Sequence, residues 1–268
     1  MQTLEDQIAL VTGASGAIGS AIASALAERG VWLCLTGRDH RKLDTVVSHL
    51  LPASPRLNCR PTDLTKDTDI EALAEFVTDR FGRLDILVHC AGAISHGKLE
   101  TTPVVFLDRQ FAANVRGPLL LTQLLLPLLK KPRGQIVFIN SSVGLTARAN
   151  TGHFSATQHA FKAIADSLRD EVNNDEIRVL SVFPGRTASP RIEALHTREG
   201  RPYQPELLLQ PADVASVVLN ALSLAWTAEV TNISIRPMLK SYAASTNVGT
   251  PATEQTDACS TARDISVK

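Results

Sequence analysis

The sequence predicts an α/β fold: one doubly wound parallel β-sheet covered by helices on both faces, in a single domain of residues 1–240. Three observations predict it. Short β-rich apolar runs recur along the chain, helical patterns separate them in strict alternation, and a glycine-rich turn joins the first run to the first helix. A chain of 268 residues, 44% of them hydrophobic, holds ample material for one large core.

The apolar runs are, in order, IALVTG near residue 8, VWLCLTG near 31, RLNCRPTD near 56, LDILVHCAG near 84, GQIVFINSS near 134, IRVLSVFPG near 177 and TNISIRP near 231. Helical stretches such as AIGSAIASALAERG and DIEALAEFVTDRFG fill the gaps. Strands bounded by helices imply right-handed crossovers, and hence a parallel sheet buried on both sides. The most apolar stretch, GPLLLTQLLLPLLKKP, contains Gln123 and Pro127 and reads as a buried helix, too short to span a bilayer. Beyond Pro237 the chain turns polar and rich in Ser, Thr and Ala, so residues 241–268 are expected to form a mobile tail, or to dock on a partner subunit.

Charge narrows the function classes. Lys plus Arg and Asp plus Glu both number 27, which gives no electrostatic reason to expect nucleic acid or an anionic membrane as partner. Cys34, Cys59, Cys90 and Cys259 show neither CxxC pairing nor metal-ligand spacing with histidine. They read as reduced thiols of a cytoplasmic protein, and no metal is implied. Glu5 and Asp6 ahead of the first apolar run are unlike a secretory signal.

The turn VTGASGAIG places Gly13, Ser15, Gly16, Ile18 and Gly19 between the first strand and the first helix. So tight a turn needs residues without a Cβ, and it aims backbone N–H groups and a helix N-terminus at a pyrophosphate. The context is that of a Rossmann-like nucleotide site, with the spacing TGxxxGxG in place of GxGxxG. Where the second strand ends, an acidic side chain would take both ribose hydroxyls. This chain has Gly37 and then Arg38, a cation suited to a 2′-phosphate, so NADP(H) is expected over NAD(H).

These motifs, followed in order by DLT at 63–65, CAG at 90–92, NVRG at 114, INSSVG at 139–144 and FPG at 183–185, resemble the short-chain dehydrogenase/reductase family over roughly residues 5–240. The resemblance implies that Asp63 and Leu64 border the adenine and that Ala91 and Gly92 lie beside the cofactor. It implies further that Pro184, Gly185, Thr187 and Ser189 contact the nicotinamide carboxamide. Cys90 stands where the family usually has asparagine, removing a side chain that braces the strands. The resemblance also implies a homodimer or homotetramer, formed through the helices at 103–131 and 152–173.

In the family a serine and a tyrosine hold the substrate carbonyl, a lysine binds the nicotinamide ribose and lowers the tyrosine pKa, and an asparagine completes a proton path. Asn114 matches the asparagine. Ser141, thirteen residues before Phe154, matches the serine better than Ser142 does. Phe154 and Gln158, however, stand where the tyrosine and lysine belong, so the usual acid and its tuning charge are both absent. His153, near the start of the helix, is the better relay candidate of the two histidines flanking these positions, the other being His159. Tyr203 and His196 lie in a segment that forms a substrate lid in relatives, and Lys162 reads as solvated.

Three functions stay open at this point. One is an NADP(H)-dependent oxidoreductase with altered proton chemistry, acting on an activated C=N, C=C or C=O group of a small molecule. The second is a non-redox isomerase, cyclase or lyase on the same scaffold. The third is a catalytically inactive nucleotide-binding protein.

Overall fold

A computed structural model describes residues 2–51 and 56–239 of the chain. The expected tail at 241–268 lies outside the described residues. All seven apolar runs are strands: β1 (Ile8–Thr12), β2 (Trp32–Gly37), β3 (Leu57–Pro61), β4 (Ile86–His89), β5 (Gln135–Ile139), β6 (Arg178–Pro184) and β7 (Asn232–Ile235). They form one parallel sheet in the order β3-β2-β1-β4-β5-β6-β7. Strand order reverses between β1 and β4, which opens a crevice at the carboxyl ends of those strands.

The pleat divides the core. Ala9, Val11, Leu33 and Leu35 point to one face, where they meet Ile22 and Leu26 of α1 (Ala17–Ala27) and Val214 and Val218 of the C-terminal helix (Pro211–Leu222). Ile8, Leu10, Cys34 and Leu87 point to the other. There they pack with Leu73 and Val77 of a helix at Asp67–Phe81, with Leu121 and Leu125, and with Phe161. Each face therefore buries the apolar stripe of its own helices.

The remaining helices are α2 (His40–Leu50), α3 (Asp67–Phe81), α4 (Val105–Phe111), α5 (Gly117–Lys130), α6 (Gly152–Val172), α7 (Pro190–Arg198) and α8 (Pro211–Leu222). Local chemistry sets their ends. The Asp39 carboxylate accepts from Lys42 N at 3.2 Å to start α2, and Gly82 at φ +67° stops α3. Gln210 and Asp213 close a reciprocal capping box at α8, with Pro211 in its first turn.

One sequence reading needs correction. The apolar stretch judged too short to span a bilayer belongs to a longer helical run, because a π-helical turn at Ala112–Arg116 fuses α4 to α5. The resulting 26 residues, Val105–Lys130, are long and apolar enough to cross a membrane by length and composition. Half of the most apolar window is buried inside the fold, as expected of a core helix, and Pro127 sits within α5 without ending it.

Candidate functional site

The glycine turn is built by close approach. Gly13 has φ +65°, and a Cβ there would come within 2.7 Å of the Ala91 backbone. A Cβ on Gly19 would strike the Gly13 carbonyl oxygen. Gly16 precedes the first residue of α1, and its N–H donates to Gly13 O at 2.9 Å. Ser15 and Ile18 are half-buried in the same turn. The α1 N-terminus thus faces the crevice above β1 and β4, the place for a pyrophosphate.

Around this turn the other predicted residues gather at the carboxyl ends of successive strands. A Cβ on Gly37 would lie 2.9 Å from the Ser15 hydroxyl, and with glycine there the end of β2 carries no acidic side chain to take the ribose hydroxyls. Arg38, next in sequence, is exposed and has no ion-pair partner among the described residues. Asp63 accepts from Thr65 N at 3.1 Å and from the Thr65 hydroxyl at 2.8 Å. Burial raises its pKa, but those bonds and the charges of Arg38 and Lys66 outweigh it and hold the carboxyl below its usual value. Leu64 is buried in the core beside Gly117, whose missing side chain lets the Leu64 carbonyl approach α5.

Thr12 replaces the brace that Cys90 cannot supply. Its hydroxyl accepts from Cys90 N at 3.0 Å and Ala91 N at 3.1 Å, and donates to Val88 O at 3.2 Å. Burial pushes the Cys90 thiol up to about 12, so it stays protonated. Gly92 leaves space for Asn114, whose Oδ1 would lie 3.2 Å from a Cβ there. On the far side of the crevice Gly185 N donates to Ile235 O at 2.7 Å, and buried Pro184 ends β6. The Thr187 hydroxyl donates to Gly185 O at 3.2 Å, and Ser189 caps α7 by accepting from Ile192 N at 3.3 Å.

The predicted catalytic positions converge on the first half of α6. Asn114 lies in the π-helical turn, buried, and accepts from Ala93 N at 2.7 Å while donating to Ala93 O at 2.8 Å and Thr157 Oγ1 at 3.0 Å. Ser141, at the end of β5, accepts from Val143 N at 3.4 Å and starts a short 3-10 turn, Ser142–Gly144, that packs on α6. Phe154 and Gln158 are one helical turn apart and share a face. Gln158 is buried, yet its side-chain amide has no partner among the described residues, whereas its carbonyl accepts from Asn140 Nδ2 at 3.0 Å. An uncharged pair stands where the family's acid and its tuning cation would stand.

The sequence-predicted alternatives are mostly engaged elsewhere. The Tyr203 hydroxyl accepts from Ser189 N at 3.1 Å and tethers the base of α7, while His196 stacks edge-on against Tyr203 and meets Pro202 O at 2.9 Å. His159 Nδ1 meets Ser155 O at 2.9 Å, and Lys162 pairs with Asp166. His153 keeps a buried Nδ1 with no partner among the described residues.

Sequence reasoning missed His96. Its ring centroid lies 6.1 Å from that of Phe154, and its Nδ1 lies 3.6 Å from Glu199 Oε1. Glu199 ends α7 and receives Arg186 Nη2 at 2.8 and 2.7 Å on its two oxygens. Histidine and glutamate are far apart in sequence, and only the fold brings them together.

The donor set fits a phosphate-bearing dinucleotide: a glycine turn at a helix N-terminus, an arginine beyond β2 with no ion-pair partner among the described residues, and the strand ends at the switch point. Among the described residues no group of three His, Cys, Asp or Glu is placed to hold a metal ion.

Comparison with known proteins agrees with this geometry. An uncharacterized oxidoreductase of Staphylococcus aureus (strain USA300) is 31% identical over 239 residues, covering 89% of this chain and all of that one. A short chain dehydrogenase of Shigella flexneri 2a, solved with NADP, superposes with a TM-score of 0.80 at 29% identity, covering 88% of this chain and 99% of that one. An alcohol dehydrogenase of Thermococcus sibiricus, solved with 5-hydroxy-NADP, gives a TM-score of 0.78 at 26% identity, covering 87% and 97%. With the short chain dehydrogenase family model matching residues 7–200 as well, the chain belongs to the short-chain dehydrogenase family of oxidoreductases.

Proposed function

We propose that the protein is an NADP(H)-dependent oxidoreductase whose proton chemistry differs from that of its family, acting on an activated C=N, C=C or C=O group of a small molecule. One observation carries the reading. The residues that would hold the pyrophosphate, the 2′-phosphate, the adenine and the carboxamide are present, at Gly13, Gly19, Arg38, Asp63, Ala91 and Gly185, while the tyrosine position and the lysine position, the latter the family's ribose contact, hold Phe154 and Gln158. Solved relatives carrying NADP support the choice of cofactor.

When bound, the cofactor supplies or accepts hydride. The chain does the rest. Arg38 would take the 2′-phosphate and the turn at Gly13–Gly19 the pyrophosphate, with Gly185 and Thr187 beside the nicotinamide. Ser141 would orient a substrate oxygen, and Gln158 would offer its free amide to a ribose hydroxyl. General acid catalysis contributes about 10²–10⁴ in rate and positioning contributes more, so losing the tyrosine slows ordinary ketones while leaving activated substrates within reach. The Phe154 ring would also tolerate a cationic substrate such as an iminium ion.

Assembly belongs to the same reading. Val104, Val105, Phe106, Phe111, Leu119 and Leu124 are all exposed on or beside the α4–α5 run, apolar surface that a second copy of the chain would cover. The test of function is to titrate NADPH by its fluorescence, then screen imines, conjugated carbonyls and diketones for its consumption. Tight binding without consumption by any class contradicts an oxidoreductase and favours an inactive nucleotide-binding protein.

A further inference from the structure

We propose that His96 transfers the proton in this site in place of the absent tyrosine, with Glu199 as its charge partner; the proposal rests on the oxidoreductase reading above. The imidazole faces the Phe154 ring, the tyrosine position itself, at 6.1 Å between centroids. It is therefore a direct neighbour of the ring that stands at the tyrosine position.

Its placement is fixed on both sides. Ser95 N donates to Gln110 Oε1 at 3.1 Å and Gln110 Nε2 donates to Ser95 Oγ at 2.9 Å, holding the loop to α4. Gly97 N donates to Asn150 O at 2.8 Å, and Leu99 packs where a Gly152 side chain would be, holding the loop to the start of α6. A residue clamped from both neighbours is preorganised.

The two ring nitrogens have different surroundings. Nδ1 faces Glu199 Oε1 at 3.6 Å, while Nε2 is buried without any partner among the described residues. A carboxylate on the Nδ1 side keeps the proton there and leaves a lone pair on Nε2. Such a lone pair buried unused is unfavourable, and a substrate hydroxyl would relieve it. The charged groups facing His96 are Glu199 from the end of α7 and Arg186 from the end of β6, with Arg201 3.7 Å from the same carboxylate. Burial lowers the His96 pKa, Glu199 partly restores it and Arg186 lowers it again, so the resting ring is neutral. Other histidines near the site lack this combination: His159 and His196 spend Nδ1 on backbone carbonyls, and His153 has no carboxylate partner.

The step balances with the oxidised nicotinamide cofactor as hydride acceptor. The carbinol C–H pair leaves as hydride to the cofactor, the O–H proton passes to His96 Nε2, and the C–O bond becomes C=O. The imidazolium that forms is paired with Glu199. In reduction the same imidazolium returns its proton to the oxygen as hydride arrives at carbon.

The experiment follows NADP+ reduction with 1-phenylethanol and NADPH oxidation with an aryl α-diketone, for the full chain and for His96→Gln and Glu199→Gln. His96→Gln is expected to lower kcat about 100-fold or more in both directions, with the NADPH dissociation constant unchanged within about twofold. In the parent, kcat/KM for oxidation falls only on the acid side of the ordinary histidine range, as burial of the ring requires, and stays level through the alkaline range where a tyrosine would titrate. Glu199→Gln moves that acid limb to lower pH. Independently, the ¹⁵N spectrum of His96 should show the Nδ1–H tautomer. Unchanged rates and acid limb in His96→Gln, or an Nε2–H tautomer, overturn the proposal alone. A parent that binds NADPH yet consumes it with none of the imines, conjugated carbonyls and diketones of the wider screen removes the oxidoreductase reading and the proposal with it.

Discussion

Asn114 donates to the Thr157 hydroxyl at 3.0 Å, and Thr157 donates in turn to Phe154 O at 2.8 Å, so one buried hydroxyl ties the π-helical turn to the altered positions of α6. Thr157→Val keeps the shape and removes the acceptor, leaving an Asn114 N–H short of a partner. The expected loss is about 1–2 kcal/mol, or about 2–8 °C in Tm, by thermal melting with NADPH binding retained. An unchanged Tm contradicts the structural role of this bond.

Arg38 is proposed to read the ribose. Arg38→Asp replaces a phosphate partner with a like charge and should weaken NADP+ and NADPH by about 10–100-fold while leaving NAD+ and NADH nearly unchanged. Fluorescence titration of the four cofactors checks it. Equal loss for all four contradicts the assignment.

His89 sets an acid limit on stability. It is fully buried, its Nε2 meets Thr122 Oγ1 at 2.8 Å, and burial pushes its pKa from 6.5 down to about 3. Between those values the unfolded chain binds a proton that the fold refuses, so this contribution is present above pH 6.5 and lost as pH falls toward 3. At pH 5 the loss is about 2 kcal/mol. His89→Phe should flatten that part of the stability–pH curve in denaturant titrations, and an unaltered slope contradicts the burial argument.

Assembly is tested by mass. The exposed apolar face of α4 and α5 predicts at least a dimer at micromolar concentration by light scattering. Phe111→Asp with Leu124→Asp should shift the mass toward the monomer. A monomeric parent contradicts this use of the face.

What the sequence disclosed and what it hid follow from range. The seven strands were legible because each is a short apolar run flanked by helical periodicity, and Gly13 because a positive φ at a tight turn leaves few alternatives. Phe154 and Gln158 were legible as departures because motifs on both sides fix their places. The π-helical turn at Ala112–Arg116 was not, since an extra residue in a helical turn leaves no mark in an apolar pattern. Nor was the meeting of His96 with Glu199, which depends on α7 folding back over the loop after β4. The Thr12 brace was hidden for the same reason: its partners Cys90 and Ala91 come from a strand distant in sequence.

The central claim is that a working reductase scaffold surrounds an altered proton site. Its most direct test is NADPH oxidation with a panel of small ketones for the parent, Phe154→Tyr, Gln158→Lys and the double variant. With Ser141 and Asn114 in place, the double variant should exceed either single one by well over tenfold, because the tyrosine is poorly acidic without the lysine and the lysine has nothing to tune without the tyrosine. A double variant that binds NADPH normally yet remains as slow as the parent would show that the pocket has diverged beyond its acid.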